Sequence, residues 1–162
     1  MSYPQWSFDA AYSLALFAHS GQKDKAGKSY ILHAVRVSKI LEQDPEYMAL
    51  GSSSQSVALS AAFLHDVLED TLVTEEMLND LLCPLEVIKI VVALTHRKNE
   101  PRMDYYRRVV EAGPLAVMVK RADILDNLDD SRLALLDEHT QERLRDKYTL
   151  ALAAISPKKE TV

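Results

Sequence analysis

The sequence predicts an all-α fold, and three observations carry that prediction. Apolar residues recur at three- and four-residue spacing along most of the chain. Runs of alternating β-branched residues are absent, so no segment reads as a strand. Only four Gly and six Pro punctuate 162 residues, and the stretches between them are long enough to be helices.

The elements follow in order. Ser7 caps a first helix reaching about His19, with Phe8, Ala11, Leu14, Ala15 and Ala18 spaced for one face. Gly21 ends it, and 21–29 is a polar loop. A second helix covers about 31–43 before Asp44 and Pro45 stop it, and a short piece leads to Gly51 and a turn at Ser52, Ser53 and Ser54. The third helix, about 56–69, is nearly all apolar until its last turn and so should run through the core. Thr74 caps a short helix to Leu82. Pro84, Pro101 and Pro114 each open a further helix, to about Thr95, Gly113 and Asp129, because a first-turn proline loses no helical hydrogen bond. A last helix follows a cap at Thr140 and ends at Ser156 and Pro157. The expectation is one helical domain spanning residues 1–162.

Composition narrows the partners. Lys and Arg total 19 against 24 Asp and Glu, and the net charge of −5 speaks against nucleic acid or an anionic membrane surface. No run approaches the ~20 apolar residues of a membrane span. The N-terminus lacks the basic start and apolar core of a signal peptide, and Cys83 is alone, so a reducing cytoplasm is the expected setting. Apolar faces on the N-terminal helices are compatible with a homo-oligomer, since one sequence does not divide helical faces between core and interface.

One segment imitates a phosphate-binding loop and fails the test. Between Gly21 and Gly27 stand five residues where that motif needs four, and the loop follows a helix instead of a strand. Its Lys23, Lys25 and Lys28 remain candidates for phosphate contact through their side chains. Arg97, Lys98, Arg102, Arg107 and Arg108 form a second basic group, read as solvated surface, and His96 and His139 as ordinary surface or capping residues.

The strongest chemical signal is His65, Asp66, Glu69 and Asp70, which close an otherwise apolar helix. Four-residue spacing would stack His65 with Glu69 and Asp66 with Asp70. Uncompensated burial of such groups costs several kcal/mol per ion, and a divalent cation is the simplest compensation; an exposed acidic last turn is the plainer alternative. His33 and Asp123 also lie among apolar neighbours. His33 could equally be a core histidine, and Asp123 half of an ion pair with Lys120 or Arg121. Lys120, Asp123 and Asn127 share one helical face.

In this order the residues resemble the HD-domain metal-dependent phosphohydrolases. More narrowly, His19-Ser20-Gly21-Gln22, Tyr30-Ile31-Leu32-His33, Leu64-His65-Asp66-Val67-Leu68-Glu69-Asp70-Thr71 and the stretch from Lys120 to Asn127 resemble the hydrolase domain of RelA/SpoT homologues, above all the stand-alone small alarmone hydrolases. The likeness runs from about residue 11 to 131. It implies an all-α HD-domain helical bundle with one divalent ion, usually Mn²⁺, held by His33, His65, Asp66 and Asp123. It implies removal of the 3′-pyrophosphate from (p)ppGpp, with Glu69 and Asp70 orienting or deprotonating water and Asn127 contacting the nucleotide. Lys23, Lys25, Lys28 and Lys120 are the expected phosphate-side cations.

Four positions depart from that family's pattern. Asp24 stands where a basic residue is common, Ala34 where Pro follows the first ligand, and Ile124 and Asp126 where Arg and His are common. These departures leave open a phosphomonoesterase acting on nucleotides or NADPH, and a non-catalytic nucleotide sensor. All three readings share a small-molecule nucleotide partner.

Overall fold

The computed structural model describes residues 6–156. The expectations for residues 1–5 and for Pro157 lie outside the described residues. Among those described, eleven helices run in order: α1 (Phe8–Ala18), α2 (Ile31–Glu42), α3 (Pro45–Met48), α4 (Ser52–Leu64), α5 (Val67–Asp70), α6 (Glu75–Asp80), α7 (Leu85–Leu94), α8 (Arg102–Glu111), α9 (Pro114–Asn127), α10 (Asp130–Leu133) and α11 (Glu138–Ile155). The all-α expectation is borne out; the only β feature among these residues is an isolated antiparallel bridge between Lys23 and Ser29. No helix among them is long and apolar enough to cross a membrane.

Helix α4 is the hub, packed against α1, α2, α7 and α9. Its buried residues are mostly small (Ala58, Ser60, Ala61, Ala62), so its neighbours can approach closely. Helix α1 answers with Ala11 and Ala15, both fully buried. Larger side chains then fill the spaces between helices: Leu41 and Val37 from α2, Leu64 from α4, Ile88 and Val91 from α7, Val119 and Ile124 from α9. Each contributes about 1.5–3 kcal/mol by leaving water.

Caps explain most boundaries. Ser7 and Thr74 accept backbone N–H groups from Ala10 and Met77, as the sequence suggests. Pro114 occupies the first turn of α9, whereas Pro84 and Pro101 stand one residue outside α7 and α8 as caps. The cap of α11 is Asp137, not Thr140: the Asp137 carboxylate accepts the Thr140 N–H, which starts the helix three residues sooner. Helix α10 had no apolar periodicity to announce it; Asp129 caps it by accepting the N–H of Arg132.

Two expectations about the third helix fail. Ser52, Ser53 and Ser54 form its first turn, not a turn before it. Nor does it continue to Glu69, for it breaks after Leu64 and resumes as α5. The cause is local: His65 Nδ1–H donates to the Ala62 carbonyl at 2.7 Å, competing for the acceptor that the Asp66 N–H would need. A new turn then starts, with the Asp70 N–H on the Asp66 carbonyl at 2.9 Å. The break places His65 and Asp66 between two helices, so the simple four-residue stacking does not describe them.

Candidate active site

Four residues from three separate segments converge at the break after α4. His33 comes from the first turn of α2, His65 and Asp66 from the break itself, and Asp123 from the middle of α9. His33 Nε2, His65 Nε2 and an Asp66 carboxylate oxygen lie within 4.8 Å of one another. His65 Nε2 is 2.8 Å from Asp66 Oδ2, and Asp123 Oδ1 sits 3.2 Å from His33 Nε2 and 3.8 Å from His65 Nε2. His33, His65 and Asp123 are buried, and Asp66 partly so.

The surrounding hydrogen bonds orient this set. His33 Nδ1–H donates to Asp126 Oδ2 at 2.6 Å, and His65 Nδ1–H donates to the Ala62 carbonyl. Both rings therefore turn Nε2 lone pairs toward each other and toward two carboxylates. Tyr30 donates its hydroxyl to Asp66 Oδ2. Asp123 accepts from Lys120 Nζ at 2.8 Å and from Asn127 Nδ2 at 2.7 Å. Inward-facing lone pairs are balanced by protons or by a metal ion, and two imidazoles with two carboxylates suit a divalent ion. The donor set thus fits the metal that the HD family implies.

The charge balance says the same. Burial opposes a charged His33, but hydrogen bonds with Asp123 and Asp126 and the charges of Asp123 and Asp66 win, raising its pKa to about 9. His65 is raised too, burial being outweighed by Asp66. Asp66 and Asp123 are held below the usual carboxylate range despite burial, by His65 and by Lys120 respectively. Glu69 and Asp70 behave oppositely. They open into a concave wall that desolvates them, and desolvation with the nearby Asp66 charge raises both. The His96 backbone N–H donates to Glu69 Oε2 at 2.9 Å and fixes that carboxylate.

Beside the four donors lies a cavity of about 500 Å³. Glu69, Asp70, Lys23, Lys25, Lys120 and Asn127, all singled out from the sequence, line it. Lys28 does not; it is exposed, and its backbone N–H is engaged by Asp24 Oδ1. Lys120 is committed to Asp123, with its ammonium also 5.2 Å from the centre of the Tyr105 ring. Asn127 spends its amide N–H groups on the Asp123 backbone and carboxylate.

Several lining residues escaped sequence reasoning. His96, read there as ordinary surface, lines the cavity, because Tyr105 packs against its ring and its Nε2–H is held by the Glu100 carbonyl. Arg102, from the group read as solvated, also lines it, whereas Arg108 is a structural residue paired with Glu100 and bonded to the carbonyls of Val92, Ala93 and Thr95. Lys147 and Tyr148 enter from α11, over an apolar floor of Leu133, Leu136, Leu144 and Ala151. Lys147 has no carboxylate partner among the described residues; burial and then the charges of Arg102, Lys120 and Lys25 lower its pKa. Sequence held no specific clue: Lys147 is one of many polar residues in α11, and Tyr148 falls in step with its apolar spacing.

Comparison with known proteins agrees with this geometry. No family model matches the chain. The guanosine-3′,5′-bis(diphosphate) 3′-pyrophosphohydrolase MESH1 of Drosophila melanogaster is 33% identical over 153 residues, covering 91% of this chain and 81% of its own. The protein of that name from Homo sapiens is 30% identical over 138 residues, 83% of this chain and 73% of its own. A guanosine-3′,5′-bis(diphosphate) 3′-pyrophosphohydrolase of Aquifex aeolicus is 31% identical over 135 residues, 78% of this chain but 18% of that longer protein. A solved structure described as a metazoan orthologue of SpoT that hydrolyses ppGpp superposes with a TM-score of 0.68 at 27% identity, covering 96% of this chain and 86% of that one. Sequence shared over nine-tenths of the length, together with a shared helical architecture, makes this chain a member of the SpoT-like guanosine-3′,5′-bis(diphosphate) 3′-pyrophosphohydrolase family.

Proposed function

We propose that the chain hydrolyses guanosine-3′,5′-bis(diphosphate) at its 3′ position, releasing GDP and pyrophosphate, with one Mn²⁺ held by His33, His65, Asp66 and Asp123. The carrying observation is the convergence of His33, His65 and Asp66, with Asp123 beside them, at one end of a cavity lined by Glu69 and Asp70 and by several cations. The ion, when bound, supplies Lewis-acid stabilisation of phosphoryl charge and makes nearby water more acidic. Everything else falls to the chain. Tyr30, Asp126 and Asn127 hold the ligands in orientation. Glu69, steadied by the His96 N–H and made more basic by desolvation, takes the proton from the attacking water, and Asp70 orients that water. The water oxygen bonds to the phosphorus attached to O3′, the P–O3′ bond breaks, and O3′ takes a proton from solvent while Glu69 releases to solvent the proton it accepted.

Substrate charge is met by Lys23, Lys25, Arg102 and Lys147, while the apolar floor and Tyr148 receive the nucleoside. These cations are local, which reconciles a polyanionic substrate with a net charge of −5. The same reading places the protein in a reducing, cytoplasmic setting, consistent with its lone buried Cys83.

The test is a Mn²⁺-supplemented panel of ppGpp, other nucleotides and NADPH, with Asp66→Ala as control. Pyrophosphate and GDP from ppGpp, lost in the variant, are expected. Orthophosphate from the other substrates, with ppGpp untouched, would assign a phosphomonoesterase instead.

A further inference from the structure

Asp126 is buried to 1% exposure and stands behind a ligand, away from the reacting atoms. Three side chains converge on its carboxylate. His33 Nδ1–H donates at 2.6 Å, Arg36 Nε–H donates to Oδ1 at 2.7 Å, and Arg132 Nη1–H donates to Oδ2. Two guanidinium groups on one carboxylate keep it ionised and weaken it as a base. The proton on His33 Nδ1 therefore stays on the ring, and Nε2 keeps its lone pair for a cation.

Arg132 reaches further. Its Nη1 also donates to the Asp126 carbonyl at 2.9 Å, and its Nη2 lies 3.4 Å from Asp24 Oδ2. Asp24 organises the loop between α1 and α2, its Oδ1 accepting the backbone N–H groups of Ala26 and Lys28, both at 2.9 Å. Gly21 and Gly27 turn that loop at φ of +79° and +75°, a region open to glycine without strain. The loop carries Lys23 and Lys25 into the cavity and ends at Tyr30, whose hydroxyl holds Asp66. It is thus fastened to the ligand set twice, through Asp24–Arg132–Asp126–His33 and through Tyr30–Asp66.

From this double attachment we infer that Asp126 and Arg132 are positioning residues that couple cation binding at His33 to the placement of the Lys23 and Lys25 loop. A loop placed correctly favours the ligand geometry, and an occupied cation site favours the loop, because coupling between two sites is reciprocal. The inference rests on the proposed function for what the loop grips; the coupling itself involves only the chain and a cation. It also gives a joint purpose to Asp24 and Asp126: both are partners of Arg132.

Isothermal titration of Mn²⁺ into the full chain, with substrate kinetics alongside, tests this. Asp126→Asn is expected to weaken Mn²⁺ binding about 10–100-fold, the range for outer partners of a metal-binding histidine. Arg132→Met and Asp24→Asn alter no ligand, yet each should weaken Mn²⁺ binding about 5-fold or more and raise KM more than they lower kcat. In the double variant the loss should not exceed that of Arg132→Met alone. Arg132→Lys, which keeps the charge but cannot span both carboxylates, should restore cation affinity partly and leave KM raised. Unchanged Mn²⁺ affinity in folded Asp126→Asn, or in both Arg132→Met and Asp24→Asn, overturns the inference and leaves structural ion pairs. Should Asp126→Asn not fold, the other two variants decide. Wild-type protein that binds no Mn²⁺ overturns the proposed function and this coupling together; binding that is insensitive to the variants overturns the coupling alone.

Discussion

Nε2 of His33 lies 3.2 Å from Nε2 of His65, with the opposite nitrogen of each ring committed as a donor. Two such lone pairs repel unless a proton or a metal ion lies between them. Chelation with EDTA is therefore expected to abolish hydrolysis and lower the melting temperature, and Mn²⁺ should restore both. At a hundredfold excess over its Kd, a cation adds about 2.7 kcal/mol of stability. His65→Ala should remove that increment, measurable by melting with and without Mn²⁺.

Protons and Mn²⁺ compete for the same atom of His33. Its folded-state pKa of about 9 lies above the ordinary value of 6.5, so in EDTA its contribution to stability is full below pH 6.5. That contribution is lost as pH rises through about 9. Mn²⁺ affinity should move the other way, strengthening from pH 6.5 to 9 with protons released on binding. Titrations in buffers of different ionisation enthalpy read both effects, and affinity falling with pH would contradict the competition.

In the proposed mechanism Glu69 is the base and binds no cation. Glu69→Gln keeps the acceptor for the His96 N–H and removes the basicity. The expected result is a kcat lower by about 10²–10⁴-fold, the range for general-base catalysis. KM and Mn²⁺ affinity should hold within a few-fold, as steady-state kinetics and calorimetry would show.

Lys147 faces the cavity without a carboxylate partner among the described residues. Lys147→Met should raise KM by roughly tenfold or more, since a charge-assisted hydrogen bond is worth about 1.5–3 kcal/mol. Mn²⁺ affinity should be unaffected. The dependence of KM on salt should become shallower in the variant, because one phosphate contact is gone.

Arg108 makes a purely structural prediction. It donates to Glu100 at 2.7 Å and to three carbonyls at the end of α7, and its hydrogen bond chiefly lowers the Glu100 pKa to about 2. Arg108→Ala should destabilise the fold by about 1–3 kcal/mol, read from urea unfolding, because buried carbonyls lose their donor. The Glu100 pair's contribution is present above pH 4.5 and lost as pH falls toward 2, so the gap between wild type and variant should narrow in acid to what the three carbonyl bonds contribute.

Much of the fold was legible before any coordinates, and for a local reason. Caps such as Ser7 and Thr74, first-turn Pro114, and apolar spacing act within a few residues, so neighbours in sequence disclose them. The break after Leu64 was not legible. His65 and Asp66 continue an apolar helix perfectly well by propensity, and only the ring's bond to the Ala62 carbonyl ends it. A ring and a backbone N–H competing for one carbonyl leave no mark on propensity or periodicity.

By itself the sequence determined an all-helical chain and the chemical cluster of His65, Asp66, Glu69 and Asp70; His33 and Asp123 as further donors, and the chemistry they suit, came through resemblance. Tertiary structure decided the rest: that Asp126, 93 positions from His33, carries its ring proton's acceptor, that Arg132 bridges 108 positions to Asp24, and that α11 brings Lys147 over the cavity. Periodicity states which face of a helix is apolar. It carries no record of which helix lies across that face, and a charged residue at a helix end has no period at all. Those pairings exist only once the core has packed.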